Sequence, residues 1–275
     1  KKMFSRIITA GLLASFFLVL TLYLEIYFIH FVFTIIALYS IFELVKLSGK
    51  STLNQLLSCI LSIILMYLLF IQTSHNTVLY LSYFAFLLWS LVLISLLFKI
   101  TFIKKIIQQN SNLIGIGIIL LAWYLLLNYG TTLSTHNIKP SEESTRLYYI
   151  FTIVLVSLCD TSGYIIGKNF GTKKLCIEIS PKKTYEGLIA SILVPLIIFY
   201  LFFIIYLSLP LLIRDIIFIT ICCVYCTIGD LFISLIKRHH NVKDSGILLP
   251  GHGGVLDRID SYLPIIAIIQ IWLFI

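Results

Sequence analysis

Charged residues are what this sequence has least of: Asp, Glu, Lys and Arg make up 12% of its 275 positions, against roughly 25% in an ordinary soluble domain. With 60% of the chain hydrophobic, too few polar side chains remain to cover a soluble core of this length. Acids are scarcer than bases, 12 against 20, for a formal net charge of +8. No basic stripe is interleaved with aromatics, so the footprint of a nucleic-acid binder is missing. Excess Lys and Arg in so apolar a chain belong with loops facing anionic lipid. A GxxxxGK[ST] stretch is also missing, which excludes a P-loop nucleotide site. Without a convincing internal repeat, an inverted-repeat transporter gains no support. Gly115-Ile116-Gly117 is half of a dinucleotide fingerprint inside an apolar run and carries no such meaning. Nor do the cysteines form a disulfide framework. Cys59, Cys159, Cys222, Cys223 and Cys226 sit in apolar runs and Cys176 in a basic loop. The Cys223-x-x-Cys226 spacing has no second pair, so these read as small core residues.

What is abundant is long apolar runs. A spanning helix needs about 20 largely apolar residues, and nine stretches qualify: Ile7–Leu24, Ile26–Val45, Leu53–Gln72, Val78–Phe98, Leu113–Tyr129, Leu147–Gly167, Gly187–Leu209, Leu212–Ile236 and Ser261–Ile275. The expected fold is an all-α, polytopic membrane protein. The first run follows Lys1, Lys2 and Arg6 as a signal peptide would, but further spans follow directly and no cleavage site intervenes, so a retained helix is expected. The first two runs meet at Glu25 and should form a hairpin. The last is short, with a start near Asp257 as the other option.

Counting cations in alternate loops assigns 17 to the side of the N-terminus and 3 (Lys139, Arg146, Arg214) to the other, which accounts for all 20 Lys and Arg. That asymmetry puts the N-terminus in the cytoplasm and the C-terminus on the opposite side. Residues 1–130 have short loops and almost no charge in their spans. Residues 131–275 hold the intramembrane acids and two long cytoplasmic loops, 168–186 and 237–260. Chemistry is expected in the second half.

Asp160 and Asp230 each lie seven residues before the expected cytoplasmic end of a span, which places both ~10 Å inside the membrane face. Carboxylates at that depth cost several kcal/mol unless paired or metal-bound. Ser234, four residues after Asp230, shares its helix face. The following loop reads Lys237-Arg238-His239-His240-Asn241-Val242-Lys243-Asp244-Ser245-Gly246, then Pro250-Gly251-His252-Gly253-Gly254-Val255-Leu256-Asp257-Arg258-Ile259-Asp260-Ser261. Glycines around His252 expose backbone N–H groups to a ligand. Asp257 and Asp260, three apart beside several cations, suit Mg²⁺ held by carboxylates and phosphate oxygens. His239 and His240 lack the spaced partners a zinc site needs. In the other loop, Lys182 and Lys183 offer cations for phosphate, with hydroxyls from Ser180 and Thr184.

These residues carry a resemblance. Ser234-x2-Lys237-Arg238-x4-Lys243-Asp244-x-Gly246-x3-Pro250-x-His252-Gly253-Gly254-x2-Asp257-Arg258-x-Asp260, with Gly229-Asp230 upstream, resembles the signature of phosphatidate cytidylyltransferases. So do Asp160-x2-Gly163-Tyr164-x2-Gly167 and Ser180-Pro181-Lys182-Lys183-Thr184-x-Glu186-Gly187, with Tyr185 where many relatives have Trp. The motifs cover roughly residues 160–261. The resemblance implies attack by a phosphatidate oxygen on the α-phosphorus of CTP, giving CDP-diacylglycerol and pyrophosphate in a bacterial-type inner membrane, with the active site facing the cytoplasm. It assigns Asp230 and Asp257 to divalent metal, with Asp260 and Asp160 as further ligands, for one Mg²⁺ or two. Lys237, Arg238, Lys243 and Arg258 would neutralise phosphates. Ser180, Lys182, Lys183, Ser234, Gly253 and Gly254 would bind substrate, and His252 would donate to a phosphate oxygen. Rival readings are a polyisoprenol kinase, an ether-lipid cytidylyltransferase or an ion-coupled transporter. Oligomeric state stays open, a homodimer included.

Overall fold

Inside lipid a backbone must satisfy its own N–H and C=O groups, so the apolar runs of this chain become helices. The computed structural model describes residues 15–49, 52–98, 101–130, 142–206, 208, 210–246, 248 and 253–274, with the side chains of 101–103 set aside. Residues 15–23 are helical, and an extended Glu25 separates them from the next helix. There follow α1 (Ile26–Leu47), α2 (Thr52–Ile71), α3 (His75–Leu97), α4 (Thr101–Gln109), α5 (Ser111–Leu127) and α6 (Glu142–Phe170). A hairpin of β1 (Lys174–Cys176) and β2 (Ser180–Thr184) leads to α7 (Tyr185–Tyr206), α8 (Ile213–His239), α9 (Leu256–Ile259) and α10 (Tyr262–Trp272). Six of these (α1, α2, α3, α6, α7 and α8) are long and apolar enough to cross a membrane. The protein is an all-α polytopic membrane protein.

Most expected spans reappear within a few residues, and the departures have local causes. The first run falls largely outside the described residues. α3 begins three residues early because Ser74 and Thr77 cap it reciprocally: Thr77 N donates to Ser74 Oγ at 3.2 Å and Ser74 N to Thr77 Oγ1 at 3.0 Å. α4 was expected as loop; its alternation of apolar residues with Lys104 and Lys105 is a nine-residue amphipathic turn, too short for periodicity to declare. The last run starts upstream, as the second option had it. Asp260 and Ser261, between α9 and α10, both keep helical backbone angles. Residues 256–273 thus form a near-continuous path, long enough at ~1.5 Å per residue to approach the bilayer core thickness.

α8 is the central helix, with every residue from Leu231 to Lys237 buried. α2 has the same apolar character but exposes most of its length, as a lipid-facing helix does. α10 lies against α8 where Gly229 admits it. A Cβ on Gly229 would strike the Asp260 carbonyl and the Pro264 ring, so glycine there sets Asp260 directly beside Asp230. α6 and α7 cross on small residues, Gly163 and Gly167 against Gly187 and Ser191. A Cβ on Gly187 would come within 2.8 Å of Gly163 O and 3.1 Å of Gly167 Cα. This is a small-xxx-small contact of the membrane kind. Gly115 likewise receives the Leu44 side chain where α5 crosses α1; the half-fingerprint there is a packing notch. Cys159, Cys222, Cys223 and Cys226 are buried in the core and none of the described cysteines is bridged.

One end of the bundle collects the loops. His240, after α8, meets Ser111 at the start of α5 at 3.0 Å between Nε2 and Oγ. Lys104 of α4 pairs with Glu178 of the hairpin turn at 2.8 Å. Glu43 near the end of α1 accepts from Ser245 in the loop after α8. These contacts bring α1, α4, α5, the hairpin turn and the loop after α8 to one end.

Candidate functional site

The motif Ser180–Gly187 folds as strand, cap and helix start. β1 and β2 pair antiparallel, Lys174 opposite Thr184 and Cys176 opposite Ser180. Thr184 Oγ1 then accepts from Gly187 N at 3.1 Å and caps α7. Glu186 accepts from Thr172 Oγ1 and, at 3.2 Å, from Lys173 N, tying the chain after α6 to α7. With its strand fixed on both sides, Lys183 turns inward. Its Nζ lies 2.7 Å from Asp230 Oδ2 and donates to Thr227 O at 3.3 Å. Burial disfavours the Lys183 ammonium, but the charge of Asp230 and then Asp160 more than offsets that and holds its pKa above the ordinary value. It stays a cation.

Asp230 sits on α8 nine residues before the helix ends at His239, and Asp160 on α6 ten before Phe170, so the two lie at similar depth, ~13–15 Å along their helices. Ser234 Oγ donates to Asp230 Oδ1 at 3.2 Å, the i,i+4 contact the spacing requires. Asp160 Oδ1 accepts from Ser261 Oγ at 3.3 Å and from the Cys226 thiol at 3.7 Å. Asp260 is buried and its Oδ1 accepts from Ser261 N at 2.7 Å. Asp257 pairs through Oδ1 with Lys237 Nζ at 2.6 Å. Its Oδ2 accepts from Ser245 N at 2.8 Å and Gly254 N at 3.0 Å.

Asp160, Lys183, Asp230, Ser234, Lys237, Asp257 and Asp260 are thus gathered at one place, with Gly253 and Gly254 held against it. Gly253 takes φ +85°, and a Cβ there would strike Asp257 Oδ2, so this turn requires glycine. Arg258 is half-buried on α9. Arg238 points elsewhere, donating to Ile179 O at 3.3 Å and Val242 O at 2.8 Å, and so braces the two loops against each other. Lys182 and Lys243 are exposed, and Ser180 sits at the start of β2 away from the acids' hydrogen bonds. His252, with Pro250 and Gly251, lies outside the described residues. Burial, then His239, lowers the His240 pKa, so it serves as a neutral partner of Ser111.

Four acids face two lysines in this cluster, which leaves it net negative, and its carboxylate and serine oxygens are the donors a hard cation takes. Among the described residues no three or more Asp, Glu, His or Cys side chains converge on one point as a finished metal cage. Both oxygens of Asp257 are engaged, Oδ1 by Lys237 and Oδ2 by the glycine loop. The donor set therefore fits a cation in charge and chemistry, with Asp260 and Asp160, each bonded through Oδ1, the less committed carboxylates, and Asp230 engaged by Ser234 and Lys183. Sequence reasoning passed over Glu43, Ser245, Ser261 and Cys226. Only Glu43 left a signal, a lone acid inside an apolar span.

A sequence model described as the cytidylyltransferase family matches residues 4–275. The chain belongs to the cytidylyltransferase family. Similar curated proteins include the phosphatidate cytidylyltransferase of Bacillus subtilis (strain 168), 39% identical over 127 residues, 46% of this chain and 47% of that protein. That of Staphylococcus epidermidis (strain ATCC 12228 / FDA PCI 1200) is 40% identical over 139 residues, covering 49% and 52%. That of Staphylococcus saprophyticus is 44% identical over 137 residues, covering 48% and 51%. The chain spans about half the length of these relatives in the matched segments.

Proposed function

We propose that this protein transfers the cytidylyl group of CTP to phosphatidate, releasing pyrophosphate and leaving CDP-diacylglycerol in the membrane. The observation that carries the reading is the cluster of Asp160, Asp230, Asp257 and Asp260 threaded by Lys183 and Lys237, sunk below the loop end of a membrane bundle. A soluble nucleotide and a leaflet-bound lipid need such a place to meet. The names of the relatives point to the same pair of substrates. The polyisoprenol-kinase, ether-lipid and transporter readings have no observation of their own in their favour.

In the reaction a phosphatidate oxygen forms a bond to the α-phosphorus of CTP while the α–β bridging P–O bond breaks and pyrophosphate leaves. The phosphatidate oxygen is already ionised, so the protein need not remove a proton. Its task is to position and to neutralise. Lys183 and Lys237, held as ammonium by neighbouring carboxylates, present charge to phosphate oxygens, with Arg258 and Lys243 nearer the surface. The Gly253–Gly254 backbone, fixed by Asp257, presents the loop to the triphosphate. Asp230, Asp260 and Asp160 would hold Mg²⁺, which supplies further charge neutralisation at the transferring phosphate. The end of the bundle that carries the site faces the cytoplasm in this reading, and the N-terminus lies on the same side.

The test uses purified protein in detergent with phosphatidate and CTP labelled at the α-phosphate, with and without Mg²⁺. Label in a lipid-soluble product only with phosphatidate and Mg²⁺ is expected. Transfer of label from γ-labelled CTP to a polyisoprenol, with CDP released, would instead establish a kinase.

A further inference from the structure

We infer that Glu43, on α1 in the half of the chain that carries none of the clustered acids, is a positioning residue for the glycine loop and through it for the triphosphate of CTP. The role in nucleotide binding rests on the proposed function; the clasp itself does not.

Glu43 is the one acid of α1 and is 2% exposed. A carboxylate buried in a membrane helix is costly unless something compensates it, and no Lys or Arg among the described residues forms an ion pair with it. What compensates it is the loop. Glu43 Oε2 accepts from Ser245 Oγ at 2.9 Å and from Leu256 N at 2.9 Å, residues at the two ends of the glycine stretch. Gly246 and Gly254 both pack against this carboxylate, and a Cβ on either would run into its oxygens. Two glycines of the motif are therefore glycine because Glu43 occupies the space.

Asp257 grips the same ends from the opposite side. Ser245 gives its hydroxyl to Glu43 and its backbone N–H to Asp257, while Gly254, touching Glu43, also donates its N–H to Asp257. Asp257 is in turn paired with Lys237. An unbroken path, Glu43 to Ser245 to Asp257 to Lys237, joins α1 to the cation of the site. A carboxylate serving only as packing would be expected to have both oxygens satisfied, yet Glu43 Oε1 is buried without a hydrogen-bond partner among the described residues. Close backbone approach and an unmet acceptor together are features of a constrained site rather than of a spare polar group.

The experiment compares wild type with Glu43→Ala, Glu43→Gln and Ser245→Ala in two measurements. In steady-state transfer, Glu43→Ala should raise KM for CTP about tenfold or more, equivalent to ~1.4 kcal/mol, while KM for phosphatidate stays within about twofold. Glu43→Gln keeps an acceptor oxygen for Leu256 N and Ser245 Oγ and should recover most of the loss, with Ser245→Ala in between. Hydrogen exchange without substrate should show faster exchange at Ser245 and Leu256 in Glu43→Ala and unchanged protection in α6 and α8. Wild-type KM for CTP in Glu43→Ala overturns the role in CTP binding, as does equal loss toward both substrates with general loosening of the bundle. Glu43→Gln as defective as Glu43→Ala would show that the charge itself is needed and overturn positioning by hydrogen bonds. No transfer by wild type would remove the proposed function and the nucleotide role with it. The exchange measurement would still decide on the clasp, since unchanged protection at Ser245 and Leu256 in Glu43→Ala overturns it.

Discussion

Asp257→Asn separates what this carboxylate does for stability from what it does for turnover. The Lys237–Asp257 pair is nearly sealed, with side chains 8% and 9% exposed and a 2.6 Å contact. Removing one partner of such a pair leaves a buried charge uncompensated and costs about 3–5 kcal/mol. The substituted side chain has one oxygen, which Ser245 N and Gly254 N would retain; its amide NH₂ then faces the Lys237 ammonium, donor against donor. A loss of that size lowers a thermal midpoint by on the order of 10 °C for a chain of this size. Turnover should disappear as well, because Lys237 loses the carboxylate that holds it in place. Thermal unfolding in detergent and α-labelled CTP transfer read the two effects separately. Adding Lys237→Met to Asp257→Asn removes the stranded ammonium while the loop amides keep their acceptor, so the double variant should regain much of the stability and none of the activity. Near-normal turnover and an unchanged midpoint in Asp257→Asn would refute the reasoning.

Asp230→Asn should also abolish transfer, yet shift the midpoint by less, because its pair with Lys183, at 31% and 23% exposure, is less sealed than the Lys237–Asp257 pair; a midpoint loss equal to that of Asp257→Asn would contradict this. Lys173→Ala removes an exposed side chain whose backbone N–H, the part that bonds Glu186, remains, so kcat/KM should stay within about twofold. Total loss there would mean that the loop cations bind substrate. Gly229→Ala puts a methyl into the Asp260 carbonyl and Pro264, and it should destabilise by about 1–3 kcal/mol and reduce turnover by displacing Asp260; unaltered activity would show that the α8–α10 contact is looser than the structure has it.

The helices were legible because a run of 20 apolar residues leaves the backbone no other way to satisfy itself in lipid. Site residues were legible where the sequence combined an acid with a position no acid should occupy, as at Asp160 and Asp230, or paired acids with clustered glycine, as at Asp257 and Gly253-Gly254. Two things were not. The β-hairpin is tied down by Lys104 reaching Glu178, 74 residues further along the chain, a contact that no local pattern declares. Glu43 left one sign, a lone acid in an apolar span, but nothing that named its partners, which lie 202 and 213 residues away. No local pattern encodes that distance. The function of Asp257 was legible only in part for the same reason, since the two N–H groups that occupy its Oδ2 belong to a loop that must fold back first.

A division of the chain into a structural first half and a chemical second half describes where the charges of the cluster come from, but not how they are held. Every loop that carries a cluster residue is tied to the first half by a polar contact. Glu43 holds Ser245 and Leu256 in the glycine loop, Lys104 holds Glu178 in the hairpin, and Ser111 holds His240 at the end of α8. These contacts differ in kind. The Lys104–Glu178 pair is largely exposed, at 32% and 80%, so it is worth little in stability and yields easily. The Glu43 clasp is buried and yields only at the expense of an unpaired carboxylate. Of the two loops, the one around Asp257 is therefore the more firmly held to the first half of the chain, and the β-hairpin carrying Lys183 is held instead by its own half, through Arg238 to Ile179 O and through Glu186 to Lys173 N.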